Sequence, residues 1–172
     1  FLDQEDRKLF LKVLEEATRL WRIGIHAYSL MTNHYHLLIE TPLGNLSRAM
    51  RHMSGVYTQR FNRRHKRDGP LMRGRFKSIL VDKESYLLEL VRYIHLNGVK
   101  ALQVRTPQDD PHTSHRAYLN PSQCPHWLTT GEVLSQFHSD PAQARQRFDA
   151  FVSEGVPEEL GKILVSEKWP AI

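Results

Sequence analysis

The sequence predicts an α+β fold in which helices pack on a small antiparallel sheet. Apolar residues recur at helical spacing in several long stretches, and two alternating stretches separated by a two-residue turn predict a hairpin. The length of 172 residues and the apolar fraction of 40% suffice for one hydrophobic core with a small appendage. No stretch approaches the length of a membrane span, and the acidic start FLDQEDRKLF is unlike a signal peptide, so we expect a cytoplasmic protein.

The first half of the chain predicts a helix, a hairpin and a second helix. Residues 3–20 carry an amphipathic pattern that Asp3 can cap, with apolar positions at Leu9, Phe10, Val13, Leu14, Ala17 and Leu20. Strands follow at 23–31 and 34–41, joined by the turn Thr32-Asn33. A second helix is expected over 45–64, with the apolar stripe Leu46, Ala49, Met50, Met53, Val56, Tyr57 and Phe61.

With the next elements, the predicted order along the chain is helix, strand, strand, helix, strand and helix. Residues 76–81 alternate as a strand does, and Asp82 can cap a third helix over 83–96 that Gly98 ends. This order is that of a ferredoxin-like antiparallel sheet with helices, in which the first strand is apparently missing from this chain. We therefore expect the fold's opening strand to be cropped, disordered or absent.

The remainder predicts a loop and a small helical C-terminal appendage. Residues 104–128 are rich in proline, histidine, serine and threonine, which is typical of a connection. Thr129 and Glu132 have capping-box spacing before a short helix, and Asp140-Pro141 begins another that ends near Gly155. We predict two domains, 1–122 and a helical extension over 123–172. The lone Cys124 excludes a disulfide framework and multi-cysteine metal sites.

The basic residues are concentrated in one segment. Residues 51–77 contain nine basic residues and one acid, Asp68. A local excess of this size suits a phosphate-rich partner, and a solvated basic face is the alternative. The side chains available to hold a nucleic-acid backbone are Arg60, Arg63, Arg64, Lys66, Arg67, Arg73, Arg75 and Lys77.

Two short motifs carry candidate chemistry. In Asn33-His34-Tyr35-His36, alternation along a strand places both histidines on one face, roughly 7 Å apart, where two imidazoles can bind one metal ion. In the helix 83–96 and its end, Tyr93 and Asn97 lie four residues apart and so share a face. Asn97 could add an oxygen ligand beside a Tyr93 nucleophile, whereas the alternative is a core tyrosine and a helix-ending asparagine.

Three segments together resemble the HUH-type single-tyrosine transposases, and the nearest branch looks like the REP-associated tyrosine transposases. They are HAYSLMTNHYHLLIE, NLSRAMRHMSGVYTQRFNRRH and GRFKSILVDKESYLLELVRYIHLNGVKA, in the family's order, and the resemblance covers residues 1 to about 120. It implies that His34, His36 and Asn97 bind Mg²⁺ or Mn²⁺ and that Tyr93 is the nucleophile. The sequence departs from the family at Gly98, where many relatives have proline, and at Pro111-His112-Thr113-Ser114-His115, a stretch that is usually richer in tryptophan.

The resemblance implies a transposase that cleaves single-stranded DNA near a hairpin. Tyr93 would become linked to the 5′ phosphate and leave a free 3′ hydroxyl for strand transfer. The expected partner is single-stranded or hairpin DNA, bound by a monomer or a homodimer associated with the nucleoid. The alternative is a catalytically inactive or domesticated DNA-binding protein of the same fold. An RNA-binding module is disfavoured because histidines stand where such modules place aromatic residues. Tyr57 is the competing nucleophile, although its helical spacing from Met53 and Phe61 indicates a core residue.

Overall fold

The computed structural model describes residues 1–81 and 83–156, and of residues 83–85 the backbone only. This part of the chain forms two compact units, one of residues 1–25 with 39–78 and the other of residues 26–38 with 79–156. Its regular elements are α1 (Gln4–Trp21), β1 (Gly24–Leu30), β2 (Tyr35–Glu40), α2 (Leu46–His65), α3 (Lys83–His95), α4 (Asn97–Lys100), α5 (His115–Leu119), α6 (Gly131–Ser135) and α7 (Pro141–Ser153). The α+β class is confirmed.

The first unit is built on the helix pair α1 and α2. Asp3 caps α1 as predicted, because its carboxylate accepts the Asp6 backbone N–H at 3.0 Å. The apolar stripes of the two helices form the core, with buried Phe10, Val13, Leu14, Ala17, Ala49, Met50, Met53, Tyr57 and Phe61. Leu20 was predicted in this stripe, but its side chain is 53% exposed because it lies in the last turn of α1, past the buried part of the stripe.

The hairpin of β1 and β2 is confirmed, and β1 is paired on its other edge as well. The Leu30 N–H donates to the His112 carbonyl at 2.8 Å, and the Ser114 N–H donates to the Tyr28 carbonyl at 3.0 Å. Ser29 and Thr113 form the antiparallel bridge between these bonds. Residues 112–114 therefore pair with the last three residues of β1 on the edge that the hairpin leaves open.

The strand predicted over residues 76–81 is wrong, since this segment has no regular structure. Ile79 and Leu80, the apolar residues that suggested a half-buried strand, are 43% and 84% exposed. Alternation predicts a strand only where a sheet edge accepts the backbone, and at β1 that edge is occupied by residues 112–114. Asp82, the predicted cap of the following helix, lies outside the described residues.

The second unit has its own core, in which α3 packs against the later helices. Ala27 of β1 joins a buried cluster with Leu87, Val91, Ile94, Leu96, Tyr118, Val133, Phe148 and Val152. Gly98 was predicted to end the third helix. Instead α3 ends at His95 and Gly98 lies within α4. A Cβ at this position would collide with the Asp110 carboxylate, so the glycine permits a close approach between α4 and the loop after it.

The segment 104–128 is more ordered than the predicted connection. It contains α5 and two 3₁₀ turns, and Tyr118 of α5 is fully buried, with its hydroxyl donating to the His26 carbonyl at 2.8 Å. The predicted capping box at Thr129 is also wrong, because Thr130 is the residue that precedes α6 and its side chain makes no capping hydrogen bond. Asp140 caps α7 as predicted.

In the described residues no helix combines the length and apolar character that crossing a membrane requires. The predicted division of the chain at residue 122 stays a prediction. Of the predicted helical extension over 123–172, the structure describes residues 123–156. In this part α6 and α7 contribute Val133, Phe148 and Val152 to the core of the second unit.

Candidate active site

The hairpin brings His34 and His36 together at the start of β2. The strand begins at Tyr35, so His34 lies in the turn rather than in the predicted strand. Its ring nevertheless comes beside His36, with the ring centroids 5.1 Å apart and the planes at 86°. His34 is exposed and His36 is half-buried. The pair therefore sits at the surface, where an ion from solvent can reach it.

A hydrogen bond sets the tautomer of His34. Its Nδ1 lies 2.8 Å from Oδ1 of Asn33. The Asn33 oxygen can only accept, so the imidazole donates through Nδ1–H, and in the neutral form of the ring the lone pair is then on Nε2. Orientation of a ligand histidine by a hydrogen bond from its second nitrogen is the usual arrangement at protein metal sites. The hydrogen bond to Asn33 therefore leaves Nε2 as the nitrogen of His34 that could bind a cation.

His36 links the pair to Tyr93. The two ring centroids are 6.0 Å apart and the planes are at 89°, an edge-to-face contact between β2 and α3. Burial, and then the charge of His34, lowers the pKa of His36 to about 4. His36 is therefore neutral at physiological pH, which is the protonation state that a metal ligand needs.

Tyr93 projects from α3 beside the second core, and its ring carries a cation on its face. The Lys100 Nζ lies 4.1 Å from the ring centroid of Tyr93. Burial raises the pKa of the Tyr93 phenol, so the hydroxyl is protonated at neutral pH. Burial, and then the charge of Arg92, lowers the pKa of Lys100. A tyrosine in this setting attacks a phosphate only if its proton is removed or the developing negative charge is stabilised.

Asn97 is buried, and its side chain is tied to its own helix turn. Its Nδ2 donates to the Ile94 carbonyl at 3.3 Å, and only 8% of the residue is exposed. That bond leaves the amide oxygen as the atom that could act as a ligand. The described hydrogen bond of Asn97 therefore runs to α3 and not to either histidine. Its role as the third ligand stays a prediction.

The donor set fits a divalent cation with open positions. If Asn97 joined the histidine pair, two imidazoles and one amide oxygen would make three ligands and leave room for oxygen atoms of a phosphate group. Of the two predicted ions, Mn²⁺ suits the nitrogen donors better, because Mg²⁺ prefers oxygen ligands.

Sequence reasoning missed Lys100 and the neighbours of His95. Lys100 lies seven residues after Tyr93, which is about two helical turns. This spacing could have predicted that the two side chains lie on the same face. His95 points into the core, where its Nε2 lies 2.7 Å from Ser114 Oγ and its Nδ1 lies 3.3 Å from Nδ1 of His115. No local pattern joins His95 to His115, because twenty residues separate them.

Tyr57, the competing nucleophile, is a core residue of the first unit. It is 2% exposed and packs edge-on against Phe10 with ring centroids 5.1 Å apart. Burial raises its pKa, and its hydroxyl is buried with no hydrogen-bond partner in the described part of the chain. A DNA phosphate could not reach this hydroxyl without opening the helix pair.

Two of the eight predicted DNA contacts, Arg60 and Arg64, form ion pairs between α1 and α2. The two terminal guanidinium nitrogens of Arg60 each donate to one oxygen of the Glu16 carboxylate at 2.8 Å. Arg64 binds Asp6 at 2.6 Å and Asp3 at 2.7 Å. Their charge is therefore compensated within the unit. The other predicted contacts with described side chains are exposed, and of these Arg63, Lys66, Arg67, Arg73 and Arg75 make no ion pair with a described acid.

A second group of potential metal ligands belongs to the same helix pair. One atom each of Asp3, Asp6 and His65 lie within 4.8 Å of one another. Arg64 already occupies both carboxylates, and its positive charge opposes a bound cation. His65 bonds to Asp6 at 2.8 Å. We interpret this group as the ion-pair network that fixes the start of α1 to the end of α2.

Comparison with known proteins supports the interpretation at the level of the family. Searches of the curated proteins and of the solved structures found no match. A family model described as "Transposase IS200 like" matches residues 1–97, which include the hairpin, α2 and α3 with Tyr93. The matched part is more than half of the chain. The chain therefore belongs to the IS200-like family of transposases, which are DNA-cleaving enzymes.

Proposed function

We propose that this transposase cleaves and rejoins single-stranded DNA by a tyrosine mechanism, with Tyr93 as the nucleophile. One observation carries the proposal: the ring of Tyr93 contacts His36, whose ring contacts His34, within the part of the chain that matches the family. A lone tyrosine or a lone histidine pair would be weak support. Their meeting across α3 and β2, at a surface that solvent reaches, is what nucleophilic attack on a DNA phosphate requires.

In the proposed step the phenol oxygen of Tyr93 attacks a phosphorus atom of the strand. The phenol loses its proton, a bond forms between phosphorus and the tyrosine oxygen, and the bond from phosphorus to the 3′ oxygen breaks. The leaving 3′ oxygen takes up a proton and becomes a free hydroxyl. The protein is left joined to the 5′ phosphate, and attack by another 3′ hydroxyl reverses the step and joins two ends. No bond energy is lost to water.

His34 and His36, with the oxygen of Asn97, would hold the Mg²⁺ or Mn²⁺ ion of the proposed site. When bound, such an ion supplies positive charge to the non-bridging phosphate oxygens and orients the phosphate. Asn33 holds the His34 ring in the orientation that leaves Nε2 free. Lys100 places an ammonium group on the face of Tyr93, where it favours a phosphate approaching the phenol.

The DNA strand would lie along the exposed basic residues after the middle of α2. We assign backbone contacts to Arg63, Lys66, Arg67, Arg73, Arg75 and Lys77. Arg60 and Arg64 are more useful to the fold, since releasing either one would break a paired carboxylate in the helix pair. We further propose action near a DNA hairpin and as a monomer, as in the REP-associated branch. The monomer is supported because Tyr93 contacts His36 of its own chain.

The proposal is tested by trapping the protein on DNA. Labelled single-stranded hairpin oligonucleotides are incubated with the protein and Mn²⁺ and then run on a denaturing gel. We expect a band retarded by the mass of the protein, and we expect Tyr93→Phe to abolish it while leaving the melting temperature nearly unchanged. Tyr57→Phe is the matched control, because it removes the same hydroxyl from the other candidate, and it should retain the band.

The outcomes separate the proposal from its alternatives. A band that survives Tyr93→Phe and disappears with Tyr57→Phe would overturn the assignment of the nucleophile. A wild-type protein that binds the oligonucleotide in a native gel but never forms the adduct would instead indicate the DNA-binding protein without catalysis. The same gel with chelator in place of Mn²⁺ tests the metal, and we expect no adduct there.

A further inference from the structure

A cavity in the first unit is lined by side chains that can donate hydrogen bonds. Trp21 at the end of α1 and three residues of α2, Arg48, Arg51 and His52, line a cavity of about 450 Å³. This volume is within the range of about 300–1,000 Å³ that is common for small-molecule sites. None of these four residues belongs to the candidate active site or to the predicted basic contacts.

The sequence spacing explains why three of the four residues face the same way. Arg48, Arg51 and His52 stand at positions i, i+3 and i+4 of α2, which lie on one face of a helix. Their face meets the last residue of α1, where the Trp21 and His52 ring centroids are 5.9 Å apart. Asn45 fixes that end of α1 by donating to the Trp21 carbonyl at 2.7 Å.

Two residues that line this cavity each have a buried ring nitrogen with no partner in the described part of the chain. Trp21 Nε1 and His52 Nε2 are shielded from solvent and make no hydrogen bond to any described residue. The indole nitrogen can only donate, and the imidazole nitrogen donates in one of its tautomers. Buried donors are nearly always satisfied in folded proteins, so each orphan needs an explanation.

The charges around the cavity point to an anion. Arg48 and Arg51 are exposed, and neither makes an ion pair with a described acid. The first turn of α2 contains no acidic residue. Glu16 interacts electrostatically with His52, but Arg60 already binds its carboxylate. The cavity therefore offers two exposed guanidinium groups to a ligand that only accepts hydrogen bonds, next to two ring nitrogens that no described acceptor satisfies.

We propose that the cavity of Trp21, Arg48, Arg51 and His52 binds a phosphate group. A phosphate presents acceptor oxygens only, and paired arginines are the side chains best suited to it. The identity of the phosphate, but not the site itself, rests on the proposed function. If that function holds, the ligand is a backbone phosphate of the DNA strand. An adjacent base could then stack on the exposed part of the Trp21 ring.

The test observes the indole of Trp21 directly. The chain has three tryptophans, so the ¹H–¹⁵N spectrum shows three indole N–H signals, and Trp21→Phe identifies the one in the cavity. The protein is titrated with inorganic phosphate, with a nucleoside monophosphate and with a single-stranded oligonucleotide. We expect the Trp21 signal to move while the other two stay in place. Arg48→Gln with Arg51→Gln should weaken the response about tenfold or more.

The matched control removes the same charge elsewhere. Arg145→Gln with Arg147→Gln lowers the net charge equally on α7, where both side chains bond to nearby carbonyls, and should leave the titration of Trp21 unchanged. A response at lower concentration of oligonucleotide than of phosphate identifies the DNA strand as the source. An equal or stronger response to free phosphate supports a phosphate site that serves a small ligand.

Two results would overturn the inference: a Trp21 signal that none of the three ligands moves, or a response that the arginine substitutions leave intact. Neither result bears on Tyr93, since the measurement involves no cleavage. In the same way, a protein that never forms the tyrosine adduct but shows the expected shift of Trp21 would refute the proposed function and keep the phosphate site.

Discussion

Two histidine pairs in the second unit have the same spacing and opposite surroundings. The rings of His34 and His36 are 5.1 Å apart, and so are those of His95 and His115. The first pair lies at a surface turn, whereas both members of the second pair are 0% exposed. Ring separation alone therefore does not tell a candidate ligand pair from a structural one.

What separates the pairs is the use of the ring nitrogens. In the buried pair all four are engaged: His95 contacts Ser114 and His115, and His115 Nε2 lies 3.0 Å from the Asp149 carboxylate. In the surface pair the described hydrogen bond occupies one nitrogen, Nδ1 of His34. The free nitrogens are those that a metal could use, and the engaged ones fasten α3 to α5 and α7.

The largest expected difference between the pairs is in metal response and cleavage. His36→Asn should abolish both the tyrosine adduct and the rise in melting temperature caused by Mn²⁺. Binding at a hundredfold excess over Kd stabilises the native state by about 2.7 kcal/mol, which corresponds to roughly 5–10 °C at this chain length. Differential scanning fluorimetry with and without Mn²⁺ measures the shift.

His115→Asn is the matched control for that experiment. It should lower the melting temperature itself and still show the full Mn²⁺ increment. If both variants lost the increment equally, the distinction between a ligand pair and a structural pair would fail. If His36→Asn kept it, His36 would not be a ligand.

Stability should show the opposite order. Substituting His115 by alanine removes a buried ring that packs against Phe148 and leaves the buried nitrogen of His95 and the Asp149 carboxylate without this partner. We expect a loss of roughly 2–4 kcal/mol in the free energy of unfolding. His34→Ala, at an exposed position, should cost less than about 0.5 kcal/mol. Urea unfolding followed by circular dichroism compares them, and equal losses would contradict the comparison.

The same contrast shows which features the sequence could predict. The closeness of His34 and His36 was predictable because they are two residues apart in the chain, although His34 lies in the turn and not in the predicted strand. Helices with strong periodicity were predicted within a residue or two, as in α1 and α2. Asp3 and Asp140 were predicted as caps because a capping bond spans only three residues.

The features that sequence reasoning missed depend on partners far along the chain. Arg60 forms an ion pair with Glu16, which is 44 residues away in the sequence, and Arg64 pairs with Asp3, which is 61 residues away. The third partner of the sheet is the stretch 112–114 and not the alternating run near Leu80. The local sequence pattern indicates secondary-structure propensity and charge. Which segment pairs with a sheet edge, or which arginine pairs with a carboxylate, depends on the whole fold.

Arginines in α2 and just after it, some ion-paired and some not, give a third comparison of smaller effect. Arg63→Gln with Arg67→Gln should weaken binding to single-stranded DNA and reduce the slope of log K against log salt by about 1.4, at about 0.7 per phosphate contact. Arg60→Gln should leave that slope unchanged and lower the melting temperature, because it frees Glu16. Fluorescence anisotropy at several salt concentrations gives the slope. A smaller salt dependence of DNA binding in Arg60→Gln would show that Arg60 also contacts the DNA.

The smallest expected effect is on the pH dependence of stability. Burial lowers the pKa of His36 to about 4, and burial also lowers the pKa values of His95 and His115 in spite of Asp149 beside the latter. The unfolded chain binds these protons near pH 6.5 while the native state does not, so stability is complete above that pH and falls as the pH decreases. Each such histidine contributes a slope of up to about 1.4 kcal/mol per pH unit.

Replacing His36 by asparagine should therefore remove about one proton from the slope between pH 6.5 and 5, and replacing His115 should also reduce the slope. The two variants should differ in the free energy of unfolding at pH 7.5, where only His115→Asn is expected to be costly. Urea titrations at both ends of the range measure slope and offset separately. A slope that neither substitution changes would mean that both rings accept protons in the native state. His36 and His115 would then bind protons in the native state as they do in the unfolded chain, and the contrast between the two pairs would rest on hydrogen bonding alone.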